Sequence, residues 1–155
     1  MVPFSPSVAK EFAIKWKTYT EEEQWERTFW HEFLRDICGI EDYSLAGIEP
    51  QKRVLNPETG NLERIDLFWR DVAIIEHKSA TKSLIDAESQ ARRYLKNLPP
   101  PFRPPYLVLC NFREMSIIDT ANNKRHNFPL IDLPNYVHLI EQMASRTLFH
   151  QNRED

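Results

Sequence analysis

Two amphipathic helices are predicted near the start of the chain. The first covers residues 8–17, where apolar side chains fall on one side of a helix. The second begins at a capping box of Thr20 and Glu23, and its acidic first turn suits the positive end of the helix dipole. Gly39 is a typical residue for ending this helix. Its buried face is predicted from large apolar residues at every fourth position: Trp25, Phe29, Phe33 and Ile37.

The rest of the chain predicts strands with two further helices among them. Strands are expected over residues 48–54, 62–69, 72–77, 106–110, 115–119 and 126–128. Helical spacing returns over residues 84–97 and again over residues 136–144. The run Val72-Ala-Ile-Ile75 is apolar on both faces, which is typical of a central strand covered on both sides. The order α-α-β-β-β-α-β-β-β-α predicts an α/β fold in the broad sense, a mixed α+β sheet flanked by helices.

The length and composition are those of one soluble globular domain. A chain of 155 residues is long enough for a single substantial core. We expect one domain over residues 1–150, divided into an N-terminal arm or helix (1–19) and a core (20–150), with a polar tail at 151–155. Cys38 and Cys110 belong to no paired motif and are expected to be reduced core residues. No signal segment or apolar run of membrane-spanning length is found, so a cytoplasmic location without membrane contact is expected.

Net charge sets a condition on any contact with nucleic acid. The chain carries a formal charge of −3, whereas a module that binds DNA by charge alone is usually strongly basic. A contact with DNA would therefore have to come from a local patch, from bound metal ions or from further domains. The basic groups Arg92, Arg93, Lys96, Lys124 and Arg125 are interpreted as solvated surface.

One segment carries a constellation with chemical meaning. Asp66, Glu76 and Lys78 form the pattern D-x9-E-x-K across two neighbouring predicted strands. Residues two apart share a face of a strand, so Glu76 and Lys78 point the same way and His77 points to the opposite face. A carboxylate and an ammonium group at the end of an apolar strand are costly unless they are paired or bind a metal.

The position of Asp66 depends on the connection between the two strands. A two-residue turn at Arg70-Asp71 would place Asp66 opposite Ile75, on the wrong face. A three-residue connection or a β-bulge would place it opposite Glu76 and bring both carboxylates together. We predict one of these two arrangements.

Converging carboxylates suit a hard divalent cation such as Mg²⁺, with Mn²⁺ as a possible substitute. A metal there would polarise a phosphodiester and activate a bound water, and Lys78 would orient or deprotonate that water or neutralise the transition state. The alternative is structural, with Asp66 capping a turn while Glu76 and Lys78 form a surface ion pair.

The motifs around these residues resemble a known family. R-I-D-L-F-W, I-I-E-H-K-S, the spaced residues Ala87, Gln90 and Tyr94, and P-Y-L-V-L-C-N-F are similar to the N-terminal nuclease domain of MmeI-like restriction–modification enzymes. Those enzymes join a PD-(D/E)XK endonuclease to an adenine methyltransferase and a DNA-recognition domain. The similarity runs from about residue 22 to about residue 149, nearly the whole chain.

The resemblance implies a restriction endonuclease-like fold and a role for each site residue. Asp66 and Glu76 would hold the metal, the carbonyl of His77 would add a ligand, and Lys78 would be the catalytic lysine. Gln90 and Tyr94 match the helical Q-x-x-x-Y element of several such nucleases. An acidic residue of the first core helix often joins the site in this class, and here Glu26 and Glu32 are both candidates.

Three functions follow as hypotheses. The first is an Mg²⁺-dependent endonuclease acting on double-stranded DNA, within a longer protein that supplies methyltransferase and recognition domains. The second is a non-catalytic module of the same fold that positions or docks DNA, and the third is a repair or recombination nuclease of the same superfamily. Methyl transfer by this chain is rejected because its three glycines provide no cofactor-binding loop.

Overall fold

Six strands form one mixed sheet whose spatial order follows the sequence. The computed structural model describes residues 2–147. Its strands are Ile48–Leu55 (β1), Leu62–Trp69 (β2), Ala73–His77 (β3), Tyr106–Cys110 (β4), Glu114–Asp119 (β5) and Lys124–Pro129 (β6). Neighbouring strands are antiparallel except for β3 and β4, which run parallel because α4 connects them. The predicted mixed α/β architecture is confirmed.

The helices lie before, within and after the run of strands. They are Pro6–Trp16 (α1), Glu22–Glu32 (α2), Tyr43–Ala46 (α3), Leu84–Asn97 (α4) and Val137–Ala144 (α5). A π-helical stretch, Phe33–Ile37, continues α2, and 3-10 helices cover Pro100–Phe102 and Leu130–Tyr136. None of the helices in the described part of the chain is long and apolar enough to cross a membrane.

The start of α2 differs from the prediction. The capping box was expected to place Thr20 at the N-cap, but Glu21 occupies that position and makes no side-chain capping hydrogen bond. Thr20 is engaged through its backbone, where its carbonyl accepts a hydrogen bond from the N–H of Ala80. The loop after β3 therefore holds the chain here through a long-range backbone contact. The predicted end is confirmed, because Gly39 adopts a left-handed φ of 72° beyond the π-helical stretch.

The larger core lies on the sheet face covered by α1, α2 and α5. Aromatic rings dominate it, and Phe12, Trp16 and Phe29 contact one another with ring centroids 4.9–6.4 Å apart. Helix α1 contributes four buried residues to this core, and the predicted division into an N-terminal arm or helix (1–19) and a core (20–150) stays a prediction. The predicted tail at 151–155 lies outside the described residues.

The opposite face of the sheet packs against α4. This second core joins Ala87, Ala91 and Tyr94 of the helix to Ile74 and Leu107 of the two parallel strands. Both faces of β3 are thus covered, which explains its continuous apolar run. Cys38 and Cys110 are buried free thiols, as predicted.

Candidate functional site

The connection between β2 and β3 sets the register of the site. Strand pairing joins Trp69 to Ala73 and Leu67 to Ile75, so three residues form the connection. Asp71 within it adopts a left-handed φ of 64°, a conformation that aspartate tolerates better than most residues. Continuing this register places Asp66 opposite Glu76. The three-residue alternative predicted from the sequence is therefore confirmed.

At this point the two carboxylates accept the hydrogen bonds that backbone carbonyls would accept in regular pairing of β2 with β3. The N–H of Asp66 donates a hydrogen bond of 2.7 Å to Oε2 of Glu76, and the N–H of His77 donates one of 2.8 Å to Oδ2 of Asp66. Regular pairing of β2 with β3 ends one step earlier, at Leu67 and Ile75. Each side chain therefore takes a backbone N–H of the other strand, which joins the carboxylates and fixes their position.

The regular alternation of β2 side chains between the two faces of the sheet is interrupted near Asp66. Ile65 packs with the α4 core and Leu67 with the larger core, but Phe68 again belongs to the α4 core. Ile65 and Phe68 are three residues apart, so the regular alternation is broken between them. Opposite this break on β1, Gln51 has a φ of 56°, which is strained for a residue with a side chain. The distortion lets Asp66 reach the groove under α2.

Glu76 is buried and Asp66 is half-buried, and neither carboxylate forms an ion pair among the described residues. Glu76 is only 2% exposed, and burial, followed by repulsion from Asp66, raises its pKa well above the usual value. Burial likewise raises the pKa of Asp66 to about 6. The nearby charge of Lys78 acts on both pKa values in the opposite direction. Within residues 2–147, no cationic side chain forms an ion pair with either carboxylate.

A third carboxyl group comes from α2. Glu26 and Asp66 line one groove of about 360 Å³, together with Trp30, Tyr43 and Gln51. Burial raises the pKa of Glu26 to about 7, and repulsion from Asp66 adds to the effect. Glu32 is held elsewhere, because Nζ of Lys15 binds its two oxygens at 2.7 and 2.8 Å. Of the two candidates on α2, the structure brings Glu26 to Asp66.

The side chain of His77 points away from the carboxylates, as the strand alternation predicts. Its Nδ1 accepts a hydrogen bond of 3.0 Å from Nε1 of Trp30, and its ring lies 4.3 Å from that of Phe112. Burial lowers the pKa of His77 to about 3, so the imidazole is neutral. Only the main chain of His77 is at the site, where its N–H binds Asp66. The metal contact implied for its carbonyl stays a prediction.

Helix α4 covers the other side of the carboxylates. Its N-cap is Ser83, whose Oγ accepts a hydrogen bond from the N–H of Ile85. Tyr94 is buried, and both burial and the charge of Glu76 raise the pKa of its phenol. Gln90 lies one turn earlier and is half-buried. Among the described residues no hydrogen bond joins Gln90 to Asp66, Glu76 or Lys78, so its predicted role stays a prediction.

The donor set fits a hard cation that keeps water ligands. In the described part of the chain, no group of three or more His, Cys, Asp or Glu side chains is placed so that it could hold a metal ion. Mg²⁺ is commonly held by one or two carboxylates, with waters and substrate phosphates as the remaining ligands. Asp66 and Glu76 supply two adjacent carboxylates, and the burial that raises both pKa values would be offset by a bound dication.

The part played by Trp30 was not predicted from the sequence. A usable signal was present, because Trp30 follows Glu26 by four residues and therefore lies on the same side of α2. His77 was predicted to point away from the site, but its partner on α2 was not identified. The Trp30–His77 hydrogen bond connects α2 to the end of β3.

Comparison with known families gives a match over nearly the whole chain. The family model described as "MmeI, N-terminal domain" matches residues 7–155. Searches of curated proteins and of solved structures found no match.

Proposed function

Because this chain belongs to the family of MmeI N-terminal domains, we propose that it is a metal-dependent endonuclease that hydrolyses phosphodiester bonds in DNA. Membership in the family makes the chain a module of a restriction–modification enzyme. That this module itself cleaves DNA is the proposal. Methyltransferase and recognition domains in a longer protein would supply most of the affinity and all of the sequence specificity.

The observation that carries the proposal is the joined pair of carboxylates. Glu76 is buried and Asp66 is half-buried, each accepts a hydrogen bond from a backbone N–H of the opposite strand, and neither has an ion-pair partner among the described residues. Two uncompensated carboxyl groups destabilise a fold, so a purely structural role does not explain them. The surface ion pair considered for Glu76 and Lys78 is wrong, because Glu76 is buried and forms no such pair with Lys78.

Each residue would have a defined task in hydrolysis. Asp66 and Glu76 would hold Mg²⁺, or Mn²⁺ in its place, and the bound metal would polarise the phosphodiester and activate water. Lys78 shares the face of Glu76 and brings a positive charge to the carboxylates. It would orient the attacking water or neutralise the charge that develops on the phosphoryl oxygens. Glu26 would accept a hydrogen bond or a proton from water in the groove it shares with Asp66.

The test is nicking of supercoiled plasmid at low salt with Mg²⁺ or Mn²⁺. We expect cleavage by the wild-type chain, no metal-dependent cleavage by D66N or E76Q, and a fall of about 100-fold or more for K78A. K82A is the matched control for K78A, because Lys82 is an exposed lysine in the loop that follows β3. It should cleave at the wild-type rate.

Metal binding and stability separate loss of catalysis from loss of fold. Titration calorimetry should show that D66N and E76Q lose Mn²⁺ binding while K78A keeps it. Since both substitutions remove a charge that burial disfavours, neither variant should melt below the wild type in the absence of metal. A folded wild type that neither cleaves DNA nor binds metal through Asp66 and Glu76 would exclude the nuclease and favour the non-catalytic module. A preference for flaps, ends or junctions over intact duplex would favour the repair nuclease.

A further inference from the structure

The hairpin of β1 and β2 carries two arginines directly opposite each other. Arg53 and Arg64 are register partners and both side chains are exposed. Like charges at directly opposite positions destabilise a sheet. Within residues 2–147 no Asp or Glu lies in ion-pair contact with either guanidinium group. The pair is therefore an uncompensated concentration of positive charge in a chain whose net charge is −3.

The other face of the hairpin is fixed to α4. Val54 and Ile65 pack into the α4 core, and Glu63 accepts hydrogen bonds of 2.9 and 2.7 Å from Arg93 of that helix. Arg53 and Arg64 are displaced by one residue along their strands and so point to the opposite, open side. The contacts of the hairpin with α4 thus hold the two strands, while both guanidinium groups are exposed to solvent.

The arginine pair lies next to the groove that Glu26 and Asp66 line. Arg64 precedes Asp66 by two residues on β2, which corresponds to about 7 Å along a strand. On β1 the same step leads from Arg53 to Gln51, and Gln51 lines the groove together with Asp66. A polymer bound at Asp66 and extending along the hairpin would therefore meet both arginines.

Protection of the sheet edge explains only part of this arrangement. Strand β1 is an edge strand, and charged residues on edges discourage pairing with other chains. That accounts for Arg53 but not for Arg64, because β2 lies inside the sheet. An anion between the two guanidinium groups would relieve their repulsion, and the planar fork of arginine suits phosphate oxygens.

We propose that Arg53 and Arg64 bind phosphate groups of the DNA strand whose scissile phosphodiester lies at Asp66 and Glu76. The proposal rests on the proposed nuclease function and names the surface that holds its substrate. Because phosphate contacts carry no sequence information, binding here is independent of base sequence. The pair would supply a local basic patch, which is one of the sources of DNA contact open to a chain of net negative charge.

The test measures binding of a fluorescein-labelled mixed-sequence DNA duplex to the full chain in EDTA, by fluorescence anisotropy over a range of salt concentrations. R53Q/R64Q should bind about tenfold or more weakly at low salt. The slope of log affinity against log salt should fall by about 1.8, the value for two lost phosphate contacts. The matched control K10Q/K124Q removes the same charge from exposed lysines on α1 and β6 and should keep the wild-type slope.

Three results would overturn the proposal: an unchanged slope in R53Q/R64Q, an equal loss in K10Q/K124Q, or no measurable DNA binding by the wild type. R53Q/R64Q should melt at or above the wild-type temperature, since it relieves a like-charge contact. Nicking assays keep the two proposals separate. Asp66-dependent cleavage together with normal DNA binding by R53Q/R64Q would contradict the binding role of the arginines and support the nuclease function. DNA binding that depends on the arginines, without cleavage in the presence of either metal, would support the binding role and contradict the nuclease function.

Discussion

The carboxyl group of Glu26 shows how the candidate site is tuned at the scale of single residues. Burial raises its pKa to about 7, and the neighbouring Asp66 carboxyl acts in the same direction. Asp66 and Glu76 are shifted upward as well, mainly by burial. Three carboxyl groups therefore retain protons in the folded, metal-free chain at a pH where they would be ionised in the unfolded chain.

This shift predicts a pH-dependent stability. A raised pKa means that the folded state binds the proton more tightly, so the stability that Glu26 contributes is full below pH 4.5 and is lost as the pH rises through about 7. The change E26Q should therefore raise the free energy of unfolding at pH 8 by about 1–2 kcal/mol, after allowance for partial exposure of the group, and by much less at pH 5.

Urea unfolding in EDTA at both pH values measures the effect. E23Q is the control, because Glu23 lies on the same helix with its side chain exposed. It should change stability by less than about 0.5 kcal/mol at either pH. Equal behaviour of E26Q and E23Q would show that Glu26 is not buried beside Asp66.

At the scale of elements, one hydrogen bond connects the helix that carries Glu26 to the strand that carries Glu76. Nε1 of Trp30 donates to Nδ1 of His77, and both side chains are fully buried. Trp30 and Glu26 lie one turn apart on α2, while His77 directly follows Glu76. The hydrogen bond therefore helps to set the rotation of α2, and with it the position of Glu26 at the groove.

A double-mutant cycle tests this connection. W30F should lower the free energy of unfolding by about 1–3 kcal/mol, because it leaves the buried Nδ1 of His77 without a donor. In W30F/H77F both polar atoms are gone, so the combined loss should be smaller than the sum of the single losses by about 0.5–3 kcal/mol. W25F on the same helix is the control, since Trp25 is only partly buried. Additive losses in the cycle would contradict the coupling.

At the scale of the whole molecule, α1 is part of the structure that supports the site. Phe12 and Trp16 contact Phe29 of α2, and Phe29 in turn contacts the ring of His77 at 5.0 Å. A continuous aromatic layer thus extends from the first helix to the strand that bears Glu76. The N-terminal helix and the sheet should consequently unfold as one cooperative unit.

A pair of substitutions on α1 tests this cooperativity. Phe12 is 5% exposed and Ile14 is 49% exposed on the same helix. F12A should lower the free energy of unfolding by about 3–5 kcal/mol, and I14A should change it by no more than about 0.5 kcal/mol. Urea unfolding followed by far-UV circular dichroism measures both. If F12A were as mild as I14A, α1 would be a separate arm.

Local pattern was sufficient wherever a feature depended on residues close in sequence. The predicted bounds of α4 and β4, residues 84–97 and 106–110, agree with the structure, because periodicity and flanking prolines act over a few residues. The constellation of Asp66, Glu76 and Lys78 was visible for the same reason. The start of α2 was predicted wrongly, because Glu21 is the N-cap and Thr20 is held by a backbone hydrogen bond from Ala80, a residue distant in the chain.

The sequence by itself thus determined the longer helices, the strands, the mixed sheet and the two strands that carry the chemistry, but not the short helix α3 or the 3-10 helices. Only the tertiary structure decided which connection joins those strands, which acid of α2 reaches Asp66, and that Arg53 lies opposite Arg64. The physical reason is common to all three. Periodicity defines the face of an element, whereas register and helix rotation are set by contacts between residues distant in the chain, such as Trp30 with His77 and Glu63 with Arg93.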